Sequence, residues 1–318
     1  MEKLQAGDII LTAQLGLTSK AVRLSTYSKF SHAVFYVGDG SFIHSDSQGV
    51  HSDNIQRLLF KKKTYAEVCR LIDNKFLTKA IMFARSKIGT SYSVKEAVRT
   101  KNPLYTGKKM NRQFCSRLVA QSFEYAGIKL VNNVDYCTPE ELKKSPSIKT
   151  VTECLRLAEE NEIDFANSPS PLQRQTDITN FILKSVRNLT QQDIQSFEDL
   201  DQFIIDNPNF DKEITGIVKS SGYLSMFDYE LVQNPWRFNG EIFLSLNLEP
   251  SYKKERAKFE LESSKEQIKL YSHNYLMCQN IRGRFPLVYF EMKMELYKKL
   301  INFMNKRVEA ARYVIENT

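Results

Sequence analysis

No apolar run in the 318-residue chain approaches the ~20 residues that span a bilayer, which excludes a transmembrane helix. The opening MEKLQAGDIILTAQ lacks the basic-then-apolar order of a secretory signal, so the expected location is cytoplasmic, with a non-classical secretion route as the alternative. There is no CxxC pair. Cys69, Cys115, Cys137, Cys154 and Cys278 are odd in number and widely spaced, which leaves no disulfide framework and no metal spacing and points to reduced thiols. Walker, Rossmann and calcium-loop motifs are missing, as are repeats, low-complexity tracts and a basic-aromatic platform for bases. The expectation is therefore no cofactor, no metal and no nucleic-acid partner. Histidine is scarce, with four in the chain, yet two of them, His32 and His44, fall within KFSHAVFYVGDGSFIHSDSQGV (29–50).

What is present divides the chain in two. Residues 1–150 carry 24 Lys and Arg against 12 Asp and Glu, whereas the remainder is net acidic. The first half mixes short β-like runs (8–12, 33–37, 41–45, 66–72) with helical patterns at 75–88 and 115–126, an α+β layout. After the turn-rich NSPSPLQ (167–173) the pattern is helical at 175–188, 191–206, 211–232, 253–281 and 286–316. In the last of these, Leu287, Phe290, Met294, Tyr297, Leu300, Ile301 and Met304 form one stripe. The expected domains are 1–152 and a helical 153–318 serving as lid, specificity element or partner dock. Basic residues gather at 60–65 and 99–114. Lys108, Lys109 and Arg112 are expected at the mouth of a site, where they would attract an anionic substrate, surface or membrane periphery.

The two histidines belong to a hairpin signal, AVFYV then GDG then SFIHS. A three-residue loop at 38–40 sets Tyr36 against Phe42 and Val34 against His44, which makes His32 the diagonal neighbour of His44 on the same face. A two-residue loop would separate them. His51, in a polar loop, and His273, on a long helix, are expected at surfaces or interfaces. Cys69 alternates into a strand as core. A third reactive group is found in NRQFCSRLVAQSFEYAG (111–127), where Cys115 opens an amphipathic helix ending at Gly127. The positive end of the helix dipole is expected to lower the thiol's pKa. A His–His–Cys set is also a ligand set for zinc, so that reading stands as an alternative.

Six pieces in order, AGDIIL (6–11), FSHAVFYVGDGSFIHS (30–45), GV (49–50), ARSKIGTSYS (84–93), FCSRLVAQSFEYAG (114–127) and TPEELKKSP (138–146), resemble the papain-like NlpC-type cysteine hydrolases. The match is to their circularly permuted branch, which includes the YiiX-like proteins and lecithin:retinol acyltransferase. The resemblance implies a permuted papain-like domain with a small antiparallel sheet or barrel packed on the nucleophile helix. It implies Cys115 as nucleophile, His32 as general base and His44 as the polar residue that orients it, where many YiiX-like members have glutamate. Tyr92 matches an aromatic lining the site, and the Cys115 N–H an oxyanion donor.

The function expected is a cysteine hydrolase or acyl transferase that cleaves an amide, ester or thioester through a thioester on Cys115. The substrate would be a peptide or a lipid. The competing classes are a lipid-directed enzyme, a cell-wall peptide amidase delivered as a toxin, and a non-catalytic binding module.

Overall fold

The computed structural model describes residues 3–13, 29–73, 77–93 and 111–318. They fall into two compact units, Met1–Leu200 and Asp201–Thr318. Among the described residues, the first unit holds one antiparallel sheet of six strands in the order β4-β3-β2-β1-β5-β6. Its strands are β1 (Ile9–Thr12), β2 (His32–Gly38), β3 (Ser41–Asp46), β4 (Gly49–Asn54), β5 (Ala66–Leu71) and β6 (Ile148–Val151). The chain is thus α+β, as the sequence pattern indicates.

Both faces of the sheet are buried. Ile9, Leu11, Phe35 and Ile43 pack with Leu118, Val119 and Phe123 of helix α2 (Cys115–Tyr125). The rings of Phe35 and Phe123 lie 5.1 Å apart. Helix α1 (Leu77–Ser86) adds Ala80 and Ala84, both fully buried small residues that let it approach closely. The opposite face carries Ile10, Val34, Tyr36, Phe42 and Val68. The alternation along β1, β2 and β3 produces these two sets directly, since successive side chains point to opposite faces. The AGD portion of the first motif is structural: Asp8 is fully buried and accepts from Arg70 Nε at 2.7 Å and Nη2 at 2.8 Å.

The β2–β3 hairpin keeps the register Tyr36↔Phe42 and Phe35↔Ile43, but its turn is tighter than the loop read at 38–40. Gly38 pairs with Ser41, and an irregularity between Tyr36 and Gly38 absorbs the extra residue. A bulge therefore preserves the alignment that a plain two-residue loop would have shifted. Strands β4 and β6 are absent from the pattern-based reading. β4 follows a two-residue turn at Ser47–Gln48, with Asp46 paired to Gly49.

Past β6 the first unit continues through α4 (Glu160–Asn167) and α5 (Pro171–Thr190), after the short α3 (Pro139–Lys143), whose Thr138 and Glu141 form a reciprocal capping box. The α5 side chains Gln173 and Asn180 donate to Gln48 Oε1 and Gln48 O at 2.6 and 3.0 Å.

In the second unit, α6 (Phe197–Asp206) crosses the boundary and is followed by α7 (Asp211–Ser220), α8 (Asp228–Gln233), α9 (Gly240–Ser245), α10 (Pro250–Arg284) and α11 (Val288–Asn317). The pattern read as one helix over 211–232 is broken at Gly222, whose φ of 85° ends a helical path. Asp211 closes the start of α11 by accepting from the N–H groups of Val288 and Tyr289 at 2.7 and 2.9 Å. Leu287, Phe290, Leu300 and Met304 of the expected stripe are buried, and Leu296, Phe303 and Val308 join them. The α10–α11 pair also buries an ion pair between Glu260 and Arg307.

Candidate active site

Cys115 is the first residue of α2, after the extended Phe114. Its position is held from several directions. Gln113 forms a bridge with Tyr92, donates its N–H to Ser91 O at 3.0 Å and accepts from Ser93 N. Arg117, fully buried, donates to Arg112 O at 2.9 Å and to Asp135 O at 2.7 Å, and its guanidinium lies 4.5 Å from the Phe114 ring centre. The helix start therefore cannot shift without breaking these carbonyl contacts. The Cys115 thiol is buried and takes a hydrogen bond from the N–H of Ala33, the residue after His32. This is how the helix start meets the start of β2.

His32 and His44 are both buried, and His32 Nε2 lies 2.8 Å from His44 Nδ1, with ring centres 5.0 Å apart. The diagonal pairing expected from the hairpin register is therefore present. The chain of imidazoles does not stop there: His44 Nε2 lies 2.9 Å from His51 Nε2, and His51 Nδ1 lies 3.2 Å from Gly49 O and 3.7 Å from Asp46 Oδ1. His51 is thus a buried member of β4, directly opposite His44, and the expectation of a surface loop histidine is wrong. The signal that would have found it is DSQG (46–49), a turn with an Asp at its first position and a Gly at its last. That turn makes His44 and His51 cross-strand partners.

Electrostatics follow burial. Loss of hydration is the first cause that lowers His32 from 6.5 to about 4, with nearby Asp46 opposing and His51 adding to the effect. His44 is held well below its ordinary value by burial, then by His32 and His51. Burial also raises the Cys115 thiol, and hydrogen bonds from Ala33 and Ser116 offset only part of that. The thiol is thus raised rather than acidified as its helix-start position led one to expect, because burial outweighs the hydrogen bonds it receives there. The resting site is a neutral thiol beside neutral imidazoles.

Tyr92 sits beside this set: burial first, then Cys115 and Asp46, raise its hydroxyl, so it stays a neutral phenol able to donate. Arg112 is held by Asp193 Oδ1 at 2.6 Å and by Asn111 O, which leaves it an occupied cation rather than an open one. Lys108 and Lys109 lie outside the described residues. Of the remaining cysteines, Cys69, Cys137 and Cys278 are buried and Cys154 is half-buried, and none of them is in a disulfide. Among the described residues the set closest to a cation's ligands is His44, Asp46 and His51, one atom of each within 4.8 Å of the others. The ring nitrogens of His44 are already engaged by His32 and His51, and those of His51 by His44 and Gly49, so the set is saturated by hydrogen bonds.

Residues 3–152 match the family model described as permuted papain-like amidase enzyme, YaeF/YiiX, C92 family. This region of the chain is similar to that family in sequence. Among solved structures, a crystal structure titled metalloprotein yiiX from Escherichia coli O157:H7 is 16% identical, covering 48% of this chain and 98% of that one with a TM-score of 0.34. No curated protein matches. The matched family is one of papain-like hydrolases, and the helices beyond residue 152 lie outside the match.

Proposed function

We propose that the chain is an amide-cleaving cysteine hydrolase in which Cys115 attacks the carbonyl, His32 accepts the thiol proton and returns it to the leaving amine, and His44 orients His32. The supporting observation is the meeting of the buried Cys115 thiol with the His32–Ala33 start of β2 while His32 Nε2 is engaged by His44. His32 Nδ1 then remains to take the proton. Because thiol and imidazole rest neutral, proton transfer accompanies attack, as for a serine nucleophile, instead of preceding it. The Cys115 N–H and the Tyr92 hydroxyl are the proposed donors to the oxyanion. Water then cleaves the thioester.

The test uses Cys154 as an internal control. An acyl-mimicking electrophile should modify Cys115 in the wild type and lose that reaction in His32→Ala, whereas labelling of the half-buried Cys154 stays unchanged. Cys115→Ala should abolish amide turnover with the fold intact. Equal loss of labelling at both cysteines, or turnover in Cys115→Ala, would refute the assignment.

A specific observation favours an apolar acyl group on the substrate. A cavity of about 530 Å³ is walled by Leu59, Phe60, Tyr65, Leu157 and Ile163, with Lys61 beside them. Thr12, on the same wall, is the β-register partner of His32. A fatty-acyl or strongly apolar aminoacyl amide would therefore be cleaved in preference to a polar one. Hydrolysis of a matched series of p-nitroanilides tests this: equal kcat/KM for acetyl and octanoyl members would remove the cavity from the substrate path.

A further inference from the structure

The imidazole chain has a direction, and the direction is set at its far end. Gly49 O and Asp46 Oδ1 can only accept, so His51 Nδ1, which faces both, carries the hydrogen. With one hydrogen on each ring, that hydrogen on Nδ1 leaves His51 Nε2 bare. His44 Nε2, 2.9 Å away, must then donate to it, and His44 Nδ1 is bare in turn. His32 Nε2 donates to that nitrogen at 2.8 Å, leaving His32 Nδ1 with a free lone pair. Run the other way, the chain would press the His51 Nδ1 lone pair against a carbonyl oxygen and a carboxylate. It would also present an N–H, incapable of accepting a proton, at His32 Nδ1.

We propose that His51 is a positioning residue that, through His44, fixes His32 in the Nε2–H tautomer competent to accept the Cys115 proton. The inference rests on the assignment of Cys115 and His32 above. Its anchor is rigid. Gly49 has a φ of 94°, and a Cβ there would meet Thr90 O at 2.7 Å. Gln48 N–H donates to Asp46 Oδ1 at 2.8 Å across the same turn, and Val50 N–H is tied to Thr90 O at 2.8 Å. The carbonyl that sets the tautomer is therefore held at both ends. Among the described residues the hydrogen bonds of the His32 and His44 rings run to imidazoles and not to a carbonyl, so the choice of tautomer comes to them from His51.

The full chain has four histidines, which makes imidazole nitrogen resonances assignable in the ¹⁵N-labelled protein. At pH 7.5 the wild type should show His32 and His44 protonated on Nε2 and His51 on Nδ1. His51→Leu removes the acceptor for His44 Nε2, so His32 and His44 should become tautomer mixtures and kcat should fall about 10- to 100-fold with KM within about twofold. His51→Gln offers a carboxamide oxygen to His44 Nε2 and should recover both the fixed tautomers and most of kcat. It also serves as the reporting variant if His51→Leu fails to fold. Detection of Nδ1–H on His32 in the wild type, or unchanged tautomers in His51→Leu, would overturn the proposal. So would zinc bound one per chain, lost in His51→Leu and required for turnover, since the same nitrogens would then be ligands. Turnover by Cys115→Ala with the tautomers as stated would instead refute the catalytic assignment while leaving the tautomer relay standing.

Discussion

At the scale of the residue, burial decides the chemistry of the site. His32 at about 4 is a base that stays unprotonated well below the range of an ordinary histidine. The acid limb of the kcat/KM profile should therefore fall near pH 4 to 5 rather than near 6.5, measured with a small amide or by Cys115 labelling in short exposures. The same shift links to stability, and its sign is definite. Above pH 6.5 the folded and unfolded forms are both neutral at this residue. Below it the unfolded chain takes a proton that the folded protein refuses until about pH 4, so stability falls through that window as pH falls. His32 alone accounts for on the order of 3 kcal/mol across it, and His44, lowered for the same reason, adds to the loss. A midpoint of urea unfolding that stayed constant between pH 6.5 and 4.5 would contradict the buried, neutral pair. Cys115, His32 and His44 are legible in the sequence because residue type and a short hairpin determine them. The thiol's pKa is not, because helix position shows in a sequence and desolvation does not.

Turns govern what the strands present to the site. The Tyr36↔Phe42 register is readable from the alternation of AVFYV and SFIHS, and the bulge that accommodates the glycine turn leaves it intact. β4 is harder to read, since GVHSDN is mostly polar and only Val50 and His51 after Gly49 are buried. Its strand character comes from pairing with β3 and with the 88–90 segment, a tertiary effect that local pattern does not carry. His51 was hidden for that reason. The turn that makes β4 has a single position without tolerance: Gly49→Ala places a Cβ against the Thr90 carbonyl in a left-handed conformation. The substitution should cost at least about 1–2 kcal/mol and lower activity further than the stability loss explains, because Gly49 O anchors His51. Thermal unfolding together with kcat at a temperature where the variant is fully folded separates the two effects. Gly40→Ala, where a Cβ meets nothing within 4 Å, shares the positive φ without the clash or the anchor and is the control.

On the scale of the molecule, the amidase match ends at residue 152 whereas the compact unit carrying the site continues to Leu200. The composition shift near 151 marks the change from mixed to helical pattern, but composition carries no information about which helices pack on the sheet. The added segment is tied to the site at identifiable points. Gln173 and Asn180 of α5 hold Gln48 in the β3–β4 turn, Leu183 and Thr179 lie against Gly89, and Gln195 Oε1 accepts from Ser91 N at 3.0 Å, next to Tyr92. These contacts fall on the turn that anchors the histidine chain and on the 89–92 segment, whose Tyr92 bridges Gln113 ahead of Cys115. Removal of α5 would also uncover Ile182, Leu183 and Val186, all fully buried, which at about 25 cal/mol per Å² represents several kcal/mol of apolar burial. A fragment ending at residue 152 should therefore be less stable than one ending at 200, with faster amide hydrogen exchange concentrated at 47–51 and 88–92, and with turnover reduced by loss of the fixed imidazole chain. Hydrogen exchange followed by mass spectrometry on both fragments checks this. Equal protection of those two segments and equal kcat in the shorter fragment would show that the helices after residue 152 leave the site untouched.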